Sequence, residues 1–526
     1  MKKIQVPLDF ENYSVASEFV EKMLTERNIS KEIIFETLLV FEALFNRIIE
    51  QGCSKYTSIE ISKRNRLGEL SITIGFEGKM FIPLKDFNDD SAPEEKIMKA
   101  YDDKLSYVYH SSYNVITITV KRGQKNTMLL CGIGFLAALA VYTILRFTIS
   151  PAEQAGLLNN YVFPIEQIFT NAMLMIGAPV TFFSLVKNIM DTYIVAERSS
   201  DTRRIQPKTI LTSLAAILIA LITFILATLI IKEISLGEYD VSGPTQTFKD
   251  FVLELVPSNI FEPFTALSPF PVLLLAALTA YACCSVGKYF QGIKKVIDAC
   301  YTFFSRMLNI VMYALPLFCC IAFLDVLLDS GYAYLLTIII FIGVALVGVI
   351  LVFVFYAVRL KAGHVDIKTF LSKLWPLIKE NFKIASAIDA VPFNTRYCVK
   401  NYGYNRKRLE DTLPVLAQTN LDGNCLLLML IGCCLLYFSN AGSSVLDIIM
   451  IGIMVLFLSL GAPNQPGSIL IGTLIIISYL SANEMVCAAI FMEAIFGSIQ
   501  NIINVIGDIV IVAIEDSRAN RLAEIK

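Results

Sequence analysis

Two carboxylates, Asp422 and Asp508, stand inside apolar runs long enough to cross a membrane, and they are the side chains best placed to do chemistry. Asp422 belongs to a polar interruption, Gln418-Thr-Asn-Leu-Asp-Gly-Asn424, that follows Pro414 in an otherwise apolar run. Asp508 ends a series on the last run, Glu493, Gly497, Gln500, Asn501, Asn504 and Asp508, whose three- and four-residue spacings share one helical face. Thr212 and Ser213 lie six residues into another run. Carboxylates, amides, hydroxyls and carbonyls freed at a helix break are hard oxygen donors of the kind that hold an alkali cation. Ionisable groups at membrane depth are costly, and function is the default reason for keeping them. Helix packing is the competing explanation for polar residues in such runs. It suffices for Thr212 and Ser213 taken alone; it does not account for an unpaired carboxylate.

The elements that must position these groups follow from the distribution of apolar residues. Of 526 residues, 55% are hydrophobic and only 17% charged, too apolar for an ordinary soluble protein. The excess begins at Asn126; residues 1–125 carry mixed charge and no run long enough to span. A spanning helix needs about 20 apolar residues. Stretches 126–149, 164–191, 207–231, 266–288, 297–325, 332–359, 410–438 and 484–514 meet that need and are predicted spans. Two more apolar stretches are interrupted. One, 368–400, contains Asn381, Lys383, Ser386, Asp389 and Pro392; the other, 445–481, is cut by Gly461-Ala-Pro-Asn-Gln-Pro-Gly467. Helix-breaking polar sequence at that depth survives only where protein or a water-filled cavity surrounds it, which predicts a pair of re-entrant helical hairpins. Two kinked spans are the alternative. Basic residues cluster in alternate loops, among them Lys121, Arg122 and Lys125, Arg203, Arg204 and Lys208, and Arg406, Lys407 and Arg408, whereas 151–163 and 439–446 have none. The positive-inside rule therefore puts both termini in the cytoplasm. With no signal peptide ahead of it, the soluble part is expected to stay where it is made. The twelve cysteines lack metal or redox spacing, and His110 and His364 are far apart, so the cysteines read as small apolar residues.

Several of these motifs, in this order, resemble the dicarboxylate/amino acid:cation symporters, the family of the glutamate transporters, over about 126–515. Asn420-Leu-Asp-Gly423 is similar to that family's Asn-Met-Asp-Gly in a broken seventh helix, and Asn504-Val-Ile-Gly-Asp508 to its Asn-Val-x-Gly-Asp near the end of the eighth. Pro466-Gly467 matches the second hairpin tip, Ser386 to Pro392 falls where the serine-rich first tip would be, and Val256-Pro-Ser-Asn259 looks like the family's Val-Pro-x-Asn. The resemblance implies a homotrimer, elevator-type movement of the hairpin-bearing core, and coupling to sodium or protons. It implies one cation site from Thr212, Ser213, Asn420 and Asp422 and another from Asn420, Asn504 and Asp508. It also gives Asn504 the solute's carboxylate. The family's acidic amino acid carriers place an Asp and an Arg where this chain has Gly497 and Gln500, and Asn424 replaces a threonine. A buried dianion without that arginine would keep one carboxylate unpaired. The expected solute site is therefore Ser386, Asp389, Asn424, Pro466, Gly467, Gln500, Asn501 and Asn504, with Asp389 able to stand in for the lost ammonium partner. The expected solute is a monocarboxylate or small neutral amino acid.

The N-terminal segment resembles the histidine-kinase-type ATPase fold of anti-sigma factor kinases. Glu42-Ala-Leu-Phe-Asn46, on an apolar helix from Phe35 to Ile49, looks like the Glu-x-x-x-Asn box in which the Asn reaches magnesium. Strand-like runs at 56–62, 69–76 and 113–120 fit an α/β sandwich. Phe76-Glu-Gly78 stands where Asp-x-Gly is expected, so ATP is predicted to bind weakly or not at all. The whole reads as an α-helical polytopic membrane protein of eight transmembrane helices and two re-entrant hairpins with an N-terminal α/β sandwich domain. Residues 1–125 are a cytoplasmic regulatory domain, 126–515 the symporter and 516–526 a cytoplasmic tail. The site is the inner membrane of a bacterial-type cell; expected partners are the bilayer, a small solute and a cytoplasmic regulatory protein, with no nucleic acid. Three classes compete: carrier; membrane sensor that has lost transport and controls the N-terminal domain; and kinase or ATPase, disfavoured by the incomplete nucleotide motifs.

Overall fold

The computed structural model describes residues 3–27, 29, 31–50, 52, 58–66, 69–79, 81, 105–110, 112–121, 127–198, 200–231, 253, 256–265, 269–384, 386–438, 445–462, 467–480 and 486–525. The chain folds as two compact units, Met1–Lys125 and Asn126–Lys526.

In the first unit the elements run β1 (Lys3–Pro7), α1 (Tyr13–Thr25), α2 (Lys31–Glu50), β2 (Ser58–Arg66), β3 (Glu69–Glu77), β4 (Leu105–His110) and β5 (Tyr113–Lys121). The sheet is antiparallel in the order β1-β2-β3-β5-β4. Ile72, Ile74 and Phe76 on β3 and Ile116, Ile118 and Val120 on β5 alternate inward, as a strand's two-residue period requires. They share one core with Val20 and Leu24 of α1 and Phe41, Leu44, Phe45 and Ile48 of α2. The two edge strands, β1 and β4, lie outside the predicted strand runs. Each is short, and β1 ends in Pro7, so neither carries a strong strand signal.

In the second unit six helices among the described residues are long and apolar enough to cross a membrane: Met128–Thr148, Pro151–Ile194, Arg203–Leu229, Ile338–Ala362, Arg406–Tyr437 and Ala489–Arg521. A seventh candidate, Phe270–Ser285 with Gly287–Met312, is bent by 110°. The predicted span 297–325 is not one helix. Phe290–Met312 ends at Tyr313-Ala314, and a new helix, Leu315–Ser330, opens with Pro316 in its first turn. Proline has no N–H to donate and clashes with the preceding turn, so it starts a helix more readily than it continues one. Outward residues of the Ala333–Ala362 helix, Leu346, Ile350, Val354 and Val358, are exposed and apolar, while Ala345, Val349, Val352 and Tyr356 face inward. A helix apolar all round in this way has one face for protein and one for lipid.

The interrupted stretches form paired shorter helices. Leu374–Ile384 is followed by Ala387–Tyr397, and Val445–Gly461 by Ser468–Tyr479. In the first pair Asn381 and Asn394, both buried, exchange amide hydrogen bonds of 2.8 and 3.2 Å across the turn. The helix Arg406–Thr419 stops at Asn420, whose φ of −99° and ψ of 83° are not helical, and Asp422–Phe438 resumes it. That second half is buried along nearly its whole length, against the last helix, Val486–Ile525.

Candidate functional site

The helix break at Asn420 does what a break in an apolar run should: it turns polar groups into the core of the membrane unit. Asn420, Asp422 and Asn424 are each no more than 1% exposed. The Thr212 hydroxyl donates to Asn420 Oδ1 at 2.7 Å, and Asn420 Nδ2 donates to Asp508 Oδ1 at 3.0 Å. Ser213, also buried, flanks Asp422. Tyr356, from the Ala333–Ala362 helix, donates its hydroxyl to Asp422 Oδ2 at 2.8 Å and lies 3.4 Å from the carbonyl of Ile503. Asp422 Oδ1 is buried with no hydrogen-bond partner among the described residues. Gly507 marks the centre of this cluster: a Cβ there would lie 2.6 Å from the Tyr356 hydroxyl, 2.9 Å from Asn420 Nδ2 and 3.0 Å from Asp422 Oδ2. Arg359, one turn beyond Tyr356, is the basic group that acts on Asp422 through space. Its Nη1 is buried and makes no hydrogen bond among the described residues.

Thr212, Ser213, Asn420, Asp422 and Asp508 are thus brought together. Asn504 joins them only indirectly. Its Oδ1 accepts from Gly423 N at 2.7 Å and its Nδ2 donates to Asn424 Oδ1 at 3.0 Å, so it braces the broken helix rather than touching Asp508. Gly423 is held to glycine by the same approach, since a Cβ would strike the Gln500 carbonyl and sit 3.0 Å from Asn504 Oδ1.

The paired helices bring their turns to the last helix. Ser386, extended at φ −148°, caps Ala387–Tyr397 by accepting from Asp389 N at 3.3 Å, which puts Asp389 in the first turn. Asn501 Nδ2 donates to the Asn381 carbonyl at 3.4 Å. In the other pair Gly467, at φ +103°, begins Ser468–Tyr479 without a capping side chain. The cap comes from the last helix. Glu493, 6% exposed, accepts from Gly467 N at 2.7 Å and from Leu470 N at 3.1 Å. Gln500 Nε2 donates to Ser468 Oγ at 2.8 Å, and Gln500 Oε1 is buried with no partner among the described residues. Pro466 lies outside the described residues.

Sequence reasoning missed three contributors. Tyr356 and Arg359 come from a helix whose sequence carries no motif. Glu493 was visible as part of the polar face, but nothing local signals that it caps a helix through Gly467, 26 residues earlier.

In the N-terminal unit Glu42 is exposed and Asn46 half-buried on α2. The Tyr13 phenol donates to Glu42; burial first, and then the Glu42 charge, pushes that phenol up to about 12. Phe76 is 1% exposed and meets Phe81 edge-on, 6.0 Å between ring centres. Asn114, fully buried, ties the chain after β3 to β5 by accepting from Phe81 N and from the Tyr107 hydroxyl.

The sequence model of the sodium:dicarboxylate symporter family matches residues 127–517. No curated protein matches the chain. The match spans most of the chain and takes in the broken helix, both helix pairs and the last helix with its polar face. A core of hard oxygen donors inside long apolar helices is what cation-coupled transport requires, and this chain belongs to the sodium:dicarboxylate symporter family, a multi-pass membrane transporter rather than an enzyme.

Proposed function

We propose that the chain is a secondary active transporter that couples sodium, or a proton, to uptake of a monocarboxylate or small neutral amino acid. The observation that carries the cation half is the pairing of Asp422 and Asp508 in one buried cluster, with Asp422 Oδ1 accepting no hydrogen bond among the described residues. Arg359 acts on Asp422, whereas Asp508 has Asn420 and the Asp422 charge beside it, so in this reading one negative charge remains to be balanced, which suits a monovalent cation as co-transported substrate. Thr212, Ser213, Asn420, Asp422 and Asp508 are its ligands in this reading, with Asn504 contributing through the braced helix break.

The solute half rests on Gln500. Its buried Oε1 is an acceptor without a donor among the described residues, and Asn424 and Asn501 are neutral amides, so the polar face offers neutral hydrogen bonding where a dicarboxylate carrier needs a second cationic group. In this reading Ser386, Asp389 and Gly467 close the same site from the two turns, and Asn504 takes the carboxylate; Pro466, assigned to the site by its sequence, lies outside the described residues. We further assign the two helix pairs as re-entrant hairpins among eight spans, the movement as elevator-type, the assembly as a homotrimer in a bacterial-type cell membrane, and both termini to the cytoplasm. The N-terminal unit is then a cytoplasmic regulatory module.

Uptake of radiolabelled L-alanine and L-lactate into proteoliposomes under an inward sodium gradient, a proton gradient, or neither tests the reading. Gradient-dependent accumulation of one of them is expected, with succinate competing at least about tenfold more weakly, roughly 1.4 kcal/mol. Gln500→Arg should narrow that gap by supplying a bidentate carboxylate partner. No accumulation under either gradient would favour a sensor.

A further inference from the structure

The two return helices are capped in different ways. Ala387–Tyr397 is capped by its own Ser386, a neutral hydroxyl. Ser468–Tyr479 begins on a glycine and takes a full carboxylate from another element, Glu493, on two of its first amides. The unsatisfied N–H groups and positive dipole end of a helix make its N-terminus a receptor for anions. At this turn the receptor already holds an anion that belongs to the protein. The neighbouring sequence accommodates it: a Cβ at Gly497, one turn along, would lie 2.7 Å from Glu493 Oε1, so only glycine leaves the carboxylate its place. One turn further on, Gln500 gives one of its two amide hydrogens to Ser468 and presents a buried acceptor, Oε1, without a partner among the described residues. Both side chains that the last helix sends to this turn therefore offer acceptors.

We propose that Glu493 is a specificity-determining residue: it occupies the anion-receiving end of Ser468–Tyr479, so that end of the solute site rejects a carboxylate and takes a hydrogen-bond donor on Gln500 Oε1. The inference rests on the solute reading above and sharpens it. A second carboxylate would have to displace Glu493 from the Gly467 and Leu470 amides and then lie beside its charge, without a cation to offset either loss.

Thermal stabilisation of the full-length protein in detergent and sodium buffer, read with succinate and separately with L-alanine, decides the matter. Succinate should leave wild type unshifted. In Glu493→Gln, which removes the charge at nearly constant shape, succinate should bind at least about tenfold more tightly than in wild type. Glu493→Asp keeps the charge but falls a methylene short of the amides; hydrogen exchange at 467–470 should rise while succinate still fails to bind. A role limited to capping would give the same exchange change without any succinate effect in Glu493→Gln. If Glu493→Gln does not fold, Glu493→Ala, which frees both amides, gives the same comparison. Succinate binding wild type as tightly as the uncharged variants, or stabilising none of them, overturns the proposal. The alanine arm stands apart: a wild type indifferent to alanine sinks the neutral-solute reading, and the succinate comparison still decides what Glu493 does.

Discussion

Two carboxylates buried in one cluster repel, and each has lost its water. Among the described residues Asp508 accepts from Asn420 and Asp422 from Tyr356, with Thr212, Ser213 and Arg359 beside Asp422, so it is Asp508 that is short of positive charge. A bound monovalent cation supplies what is missing, so sodium should stabilise the folded protein. At a sodium concentration about a hundredfold above its dissociation constant the gain is roughly 2.7 kcal/mol. Asp508→Asn should act in both directions: it removes one buried like charge, raising the melting temperature in sodium-free choline buffer, and it flattens the rise on adding sodium. A melting temperature indifferent to sodium in wild type and variant alike would remove the basis for the cation site. At this scale the sequence was informative because a charged residue or a polar break inside an apolar run is itself the signal; Asp422 and Asp508 were legible for the first reason and Asn420 for the second. Tyr356 was not. A tyrosine among the phenylalanines and valines of its helix looks like any other bulky apolar residue until the fold aims its hydroxyl at Asp422.

The elements that hold these residues depend on how their ends are closed. A buried turn must satisfy its amides, and the first helix pair does so with Ser386 and with the Asn381–Asn394 bridge, whose side chains are 0% and 3% exposed. Replacing either asparagine by leucine strands the other's buried amide, a cost of about 1–3 kcal/mol. The double replacement should cost less than the sum, by about 0.5–3 kcal/mol, because it leaves no orphan. Thermal unfolding of the two single variants and the double measures this; strictly additive losses would mean that the two amides do not act as a unit. Polar breaks at Ser386 to Pro392 and Gly461 to Gly467 were enough to locate both turns in the sequence, because local composition dictates where a helix stops. Which side chain caps the second turn was not legible, since Glu493 reaches it through the tertiary fold. The misread span 297–325 has a related cause: apolar composition continues across Tyr313-Ala314, and one helix ends and another begins there, next to a proline that composition alone does not weigh.

The whole molecule joins two units with opposite solutions to the same problem. The membrane unit puts its polar groups inside and leaves apolar helix faces outside; the N-terminal unit has an ordinary apolar core of its own, closed by α1, α2 and the inner faces of β3 and β5. A unit with its own core should fold when residues 1–125 are made alone. Its stability should hold from neutral pH to about 10 and decline as pH rises through about 12, because the Tyr13 phenol, raised to about 12 by burial and by Glu42, must stay protonated to keep its bond. Nucleotide is a different matter. A base-reading aspartate has to present its carboxylate to a ligand; the residue that the proposed likeness to the ATPase fold would put at that place is Phe76, which lies in the core at 1% exposure against Phe81. Restoring the charge by Phe76→Asp would bury a carboxylate among Ile74, Ile116 and Phe81, so the present packing and a working adenine pocket exclude each other. Asn46 is half-buried on α2 and Glu42 is engaged by Tyr13, so under that likeness neither would replace the missing carboxylate. Calorimetric titration of the isolated unit with magnesium and ATP should therefore register no binding in the micromolar range, and Asn46→Ala should change nothing. Micromolar binding abolished by Asn46→Ala would mean that the box on α2 holds magnesium and that adenine is read from some group other than residue 76.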